Sequence, residues 1–120
     1  MKIAISSRGK NLNSSIDTRF GRAKWFIIAD TEAGSVAAIP NKKNLKAAQG
    51  AGIQSAANIA RQGVECIITG HCGPNAFNTL QSQGIQVLTV TEGTVQEVLE
   101  KFKQGGLEPM RAPDVQGHWE

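Results

Sequence analysis

The sequence predicts an α/β domain: a mixed five-stranded sheet in the order 3-2-1-4-5, flanked by three helices. Three observations carry this. The first 40 residues hold three short runs rich in branched and aromatic side chains and no helical period. From residue 50 onward, a 3.6-residue period alternates with short apolar runs, the pattern of β-α-β units. The chain has 120 residues and is 40% hydrophobic, enough for one core and too little for two.

Residues 2–6 read as a first strand and residues 25–30 as a second, richer in aromatic and branched residues. Thr31-Glu32-Ala33-Gly34 supplies a turn into a third strand, residues 35–39, which Pro40 stops. Ile53, Ala56, Ala57 and Ala60 then recur at i, i+3, i+4 and i+7. They predict a helix over 52–62 with that row buried and Gly63 as its stop. Residues 64–69, apolar apart from Glu65, suit a strand covered on both faces. Gly73-Pro74 opens a second helix, with Phe77 and Leu80 inward and Gly84 at its end. Residues 85–90 form a fifth strand. Thr94 and Glu97 make a capping box for a third helix, whose Val95, Val98, Leu99 and Phe102 form an apolar stripe before Gly105-Gly106. The domain thus spans residues 1–104, and residues 105–120, with Pro109, Pro113, Gly117, His118 and Trp119, read as a loose tail.

The order β-β-β-α-β-α-β-α is a meander followed by crossovers. Its simplest closure pairs strand four with strand one, the ribonuclease H-like arrangement. Strands one, three, four and five then point the same way, so loops 7–24, 40–51, 70–73 and 91–93 share one edge. The N-termini of all three helices open onto that edge.

The formal charge of +3 is unevenly spread. Arg8, Lys10, Arg19, Arg22, Lys24, Lys42, Lys43 and Lys46 fall between residues 7 and 48, and the two long loops of that segment carry only Asp17 against them. A polyanionic ligand is expected there. Several classes lack their residues. Two-metal hydrolysis needs carboxylates, and neither the first strand nor loops 40–51 and 70–73 has one. Gly50-Ala51-Gly52 resembles half a dinucleotide fingerprint, but Ser55 stands where its third glycine belongs, and the chain has no Walker lysine. Nucleic acid is disfavoured because Phe20 is the lone aromatic in the basic loops on which a base could stack. The alternative to a small cargo is an interaction module that binds nucleic acid or an acidic partner through the same edge.

The short apolar start is no signal peptide and no stretch is long enough to span a bilayer, so no membrane role and a cytoplasmic location are expected. In that compartment Cys66 and Cys72 are expected as free thiols, with Cys66 a small buried hydrophobe. His71 and Cys72 stand side by side after strand four. A thiol-imidazole nucleophile would need them to face each other and a third residue to orient the ring. Neighbours in sequence point apart and no third residue is visible, so the chain reads as no enzyme. As soft contacts, the pair could flank a preassembled metal cluster.

Taken in order, Asp17-Thr18-Arg19-Phe20-Gly21-Arg22-Ala23, Gly50-Ala51-Gly52-Ile53, Val64-Glu65-Cys66-Ile67-Ile68-Thr69-Gly70, Gly73-Pro74-Asn75-Ala76-Phe77, Leu80 and Gly84-Ile85 resemble the dinitrogenase iron-molybdenum cofactor biosynthesis family, over residues 1–103. The resemblance implies a small ribonuclease H-like protein that binds or carries a metal-sulfur cluster, with a possible protein partner in cluster delivery. One position departs from the pattern. The nitrogenase accessory branch commonly has histidine before Phe-Gly, and this chain has Arg19, which pairs with anions and does not ligate metal. The resemblance is therefore nearer to the orange-protein branch, which holds a molybdenum-copper sulfide cluster without covalent attachment; the iron-molybdenum cofactor ranks second. It implies a cluster pocket of Asn11, Arg19, Phe20, Gly21, Arg22, Lys24, Asn41, Gly50, Gly52, Gly70 and Gly73, with His71 and Cys72 as metal contacts at its rim.

Overall fold

In the computed structural model, which describes residues 1–41 and 50–113, the first strand, β1 (Lys2–Ser7), has Ile3, Ala4 and Ile5 fully buried. A strand apolar on both faces needs a neighbour on each edge and cover on each side. β2 (Trp25–Asp30) pairs with it antiparallel, from Lys2 opposite Asp30 to Ser7 opposite Trp25. On the other edge β4 (Cys66–Thr69) pairs parallel, with Ile3 opposite Cys66 and Ile5 opposite Ile68. β3 (Ser35–Pro40) lies antiparallel beside β2, and β5 (Gln86–Thr89) parallel beside β4. The ribonuclease H-like order 3-2-1-4-5 is therefore the one formed.

The sheet goes one strand further than the sequence predicts. β6 (Glu108–Pro109) joins antiparallel to β5, with Leu88 opposite Pro109 and Thr89 opposite Glu108. The Met110 N–H donates to the Val87 carbonyl at 2.8 Å, and Met110 is itself buried. Residues 105–110 are thus not the loose tail expected of them: β5 offers an open edge, and Glu108, Pro109 and Met110 cover it. His118 and Trp119 lie outside the described residues, as do Lys42, Lys43 and Lys46.

Two helices cover one face and one the other. From α1 (Ala51–Arg61) and α2 (Pro74–Ser82), Ala56, Ile59, Ala76, Phe77 and Leu80 pack on Ala4, Phe26, Ile28, Ile67 and Val87. On the opposite face Val95, Val98 and Leu99 of α3 (Val95–Lys103) cover Ile3, Ile5, Ile27 and Ile68. Each fully buried branched side chain contributes roughly 1.5–3 kcal/mol. The capping box is formed: Thr94 Oγ1 accepts from the Glu97 N–H at 3.2 Å, and Glu97 Oε1 from the Thr94 N–H at 2.9 Å. Among the described residues no helix is long and apolar enough to cross a membrane.

The buried row of α1 sits one residue back from the predicted one. Gly52, Ser55, Ala56 and Ile59 face inward, whereas Ile53, Ala57 and Ala60 are only partly covered. A serine in that row is tolerated because it is paired. The Ser55 hydroxyl donates to Asn41 Oδ1 at 2.8 Å, and Asn41 Nδ2 donates to the Ala23 carbonyl at 2.8 Å. The Asn41 N–H adds a bond to the Lys24 carbonyl at 2.9 Å. One buried amide thus ties the end of β3 to α1 and to the segment entering β2. Asn41→Ala strands the Ser55 hydroxyl and the Ala23 carbonyl; urea unfolding should show a loss of about 2 kcal/mol, against about 1 kcal/mol for Ser55→Ala.

Candidate functional site

Strands β1, β3, β4 and β5 end on the same edge of the sheet. The loop leaving β1 there is long, and it is pinned at several points. The Arg8 N–H donates to the Ser15 carbonyl at 3.0 Å and the Asp17 N–H to the Ser6 carbonyl at 2.9 Å. Ser6, fully buried, returns its hydroxyl to the Asp17 carbonyl and lies 2.8 Å from Thr69 Oγ1. The loop then meets the end of β4. The Thr18 carbonyl accepts from the Gly70 N–H at 3.1 Å and the His71 N–H at 2.6 Å, and the Phe20 N–H donates to the His71 carbonyl at 3.1 Å. Arg19 and His71 are thereby bridged as in a parallel ladder.

Gly70 is what permits this approach. A Cβ at that position would lie 2.6 Å from Thr18 Cβ and 2.9 Å from the Thr18 carbonyl oxygen. The space left by the missing side chain is filled by Thr18, so Gly70 makes room for a neighbouring loop and not, as expected, for a ligand. Beyond the ladder, Phe20 enters the core with its ring centroid 5.4 Å from that of Phe26. It anchors a single 3₁₀ turn, Phe20–Arg22, in which Gly21 is buried and Arg22 exposed.

The result is an open cleft of about 280 Å³, lined among the described residues by Arg8, Asp17, Arg19, Arg22 and Lys24. Four cations surround one carboxylate. Asp17 Oδ1 accepts from the Arg19 N–H at 3.0 Å and from Arg19 Nε at 3.4 Å; the Asp17 side chain is 4% exposed and that of Arg19 47%. The carboxylate therefore fixes both the backbone and the head of Arg19 while the rest of the guanidinium stays open to solvent. Beside the cleft, Lys10 Nζ stands 4.9 Å from the centroid of the Trp25 ring, a cation-π contact.

The family model described as dinitrogenase iron-molybdenum cofactor matches residues 1–105. The chain belongs to that family. It is similar to the orange protein of Desulfovibrio gigas, whose apo structure superposes with a TM-score of 0.88 at 33% identity over 95% of this chain and 96% of that one. An NMR structure of a Thermotoga protein of the DUF35 family gives a TM-score of 0.82 at 38% identity, over 97% of this chain and 98% of that one. An uncharacterized protein of Methanocaldococcus jannaschii is 32% identical over 113 residues, 90% of each chain.

In this member of the iron-molybdenum cofactor family, the Asp17–Ala23 stretch of the family pattern builds the cleft, and Arg19, Arg22 and Lys24 line it together. The remaining predicted site residues lie around or under it. Phe20 and Gly21 hold the 3₁₀ turn from below; Asn41 is the buried amide beneath Lys24. Gly50 and Gly73 are the N-caps of α1 and α2, and Gly52 is buried in the first turn of α1. Asn11 does not line the cleft: its N–H and carbonyl close a small turn with Ser14. Arg8 and Asp17, read from the sequence as part of the charge balance of the loop but not as members of the pocket, line it too. Their signals were there, a cation directly after a strand on the ligand edge, and an Asp two residues before an Arg whose N–H it can accept.

Two further expectations change. The N-terminus of α3 does not offer its N–H groups to a ligand, because Val95 and Gln96 donate to the Ser14 and Leu12 carbonyls, each at 2.9 Å, and the capping box takes the next. Gly93, with φ +121, turns its carbonyl to the Ile16 N–H at 3.0 Å and completes this clamp on the loop. α1 and α2, by contrast, have no side-chain cap and no acid in the first turn among the described residues. Cys72, expected at the rim, is 1% exposed and packs in the apolar cluster with Phe20 and Phe77, while His71 beside it is exposed.

Burial pushes the Cys66 thiol up to about 12, helped by the Glu65 carboxylate. Among the described residues no three His, Cys, Asp or Glu side chains come together as a metal site. The donor set suits a preassembled anion, which needs cations and N–H groups, better than a bare ion, which needs ligands.

Two outcomes follow for this site. Neither cysteine of the folded protein should react with iodoacetamide at neutral pH, and both should after denaturation, as mass spectrometry would show. Gly70→Ala should lower stability by about 1–3 kcal/mol in thermal unfolding, because the new methyl meets Thr18 backbone as well as side chain.

Proposed function

We propose that this protein is a non-catalytic carrier of an anionic metal-sulfur cluster, held without covalent attachment in the basic cleft. The observation that carries this reading is the convergence of Arg8, Arg19, Arg22 and Lys24 on one cleft, with no cluster of metal-ligating side chains among the described residues. Such a site neutralises charge and leaves the bonding within the guest intact. Membership of the iron-molybdenum cofactor family and likeness to the orange protein support a molybdenum-containing cargo. Within that class we favour a molybdenum-copper sulfide cluster over the iron-molybdenum cofactor, because Arg19, standing where a ligating side chain would reach the guest, can only pair with anions.

In this reading Arg19, Arg22 and Lys24 bind the cluster faces. Asp17 keeps Arg19 oriented, and His71, exposed just beyond β4 and bridged to Arg19, is the soft contact at the rim. A partner protein would take the cargo from the open side of the cleft. The same basic edge could instead serve nucleic acid or an acidic protein, and the two readings separate in one experiment.

Anaerobic reconstitution with molybdate, copper and sulfide, followed by metal analysis and a visible spectrum, should give a coloured protein containing both metals. Arg19→Ala and Arg22→Ala should each weaken uptake roughly tenfold, with the circular dichroism unchanged. A protein that stays colourless and metal-free, yet is retained on DNA with steep salt dependence, overturns the carrier assignment.

A further inference from the structure

Asp17 is at odds with its surroundings. It is the one acid among the described residues lining a cleft of four cations, and its side chain is 4% exposed. Holding the loop does not require its charge. The backbone at Asp17 is already fixed by the Ser6 carbonyl and hydroxyl, and an amide oxygen could accept the Arg19 N–H as well. Oδ1 takes both bonds from Arg19, and among the described residues Oδ2 accepts none. A buried carboxylate oxygen without a donor costs free energy that a ligand can recover.

We propose that Asp17 makes the cleft selective for anions that carry a proton. A carboxylate only accepts hydrogen bonds, and so does a fully deprotonated anion. Two such groups brought face to face repel, with no proton between them. An anion that still bears an O–H or S–H donates it to Oδ2, while its remaining atoms take up Arg8, Arg19, Arg22 and Lys24, and the bond gains from the charge on its acceptor. For the cargo proposed above, on which this extension rests, the guest enters with a protonated sulfide or hydroxide edge toward Asp17. For anions in general it depends only on the cleft.

Hydrogen phosphate and sulfate test it by calorimetry at mildly alkaline pH, where both are tetrahedral dianions and phosphate alone carries a proton. The wild-type protein should bind phosphate at least about tenfold more tightly than sulfate. Asp17→Asn, which keeps an acceptor for the Arg19 N–H and adds a donor, should bring the two within about twofold of each other, chiefly by gaining sulfate. Arg22→Ala should weaken both alike. Equal affinities in the wild type overturn the proposal, as does an unchanged ratio in folded Asp17→Asn or the absence of binding by either anion. If Asp17→Asn fails to fold, the wild-type ratio decides alone. A clear phosphate preference in a protein that takes up no cluster would leave this inference standing and end the carrier assignment.

Discussion

The site depends on one carbonyl oxygen. Thr18 accepts from two successive N–H groups at the end of β4, and Gly70 lets the chains approach closely enough for it to do so. That contact ties the loop leaving β1, already held to β1 and to the start of α3, to the end of β4. With it, Arg19 is locked to His71, Phe20 is aimed into the core, and the 3₁₀ turn that presents Arg22 follows. Hydrogen bonds of this kind contribute about 1 kcal/mol each. Here their more important effect is to determine which charges become neighbours.

Charge and topology then act together. Repulsion among four cations opposes their gathering in one cleft, and several features offset it. Asp17, buried and bonded to Arg19, compensates one of them. Lys10, which is not one of the four, is drawn to the face of Trp25 and does not join them. The exposed heads of the others remain hydrated. The positive end of α3 is spent on loop carbonyls instead of adding to the excess. The edge is left with an unbalanced field that a multiply charged guest relieves.

Much of the fold was legible in the sequence because it rests on period and punctuation. The order of the sheet followed from the strand runs and the crossovers, and the capping box of α3 from Thr94 and Glu97 alone. What escaped rests on pairing across distance. The face of α1 was misplaced by one residue because Ser55 looks polar until Asn41 is found opposite it. β6 was missed because Glu108 and Pro109 carry no strand signal of their own and are recruited by the open edge of β5. At the site, the basic loop and its arginines could be read directly. Cys72 could not, since whether a residue after a strand points to the rim or to the core depends on how the next helix docks. Asp17 was passed over as a minority charge, which is the reason it is informative in the structure.

The loop that carries the arginines is fastened on three sides: to β1 through Ser6, to β4 through Thr18, and to α3 and the turn before it through Leu12, Ser14 and Ile16. Such a segment behaves as a fixed quay and not as a door. Guests would therefore be met by long cationic side chains that reorient within about nanoseconds, with no slow backbone opening in the way. Residence time would be set by how strongly the guest is gripped. A receiving molecule could lift the cargo away by offering stronger contacts, with no need to unfold or unlatch its holder.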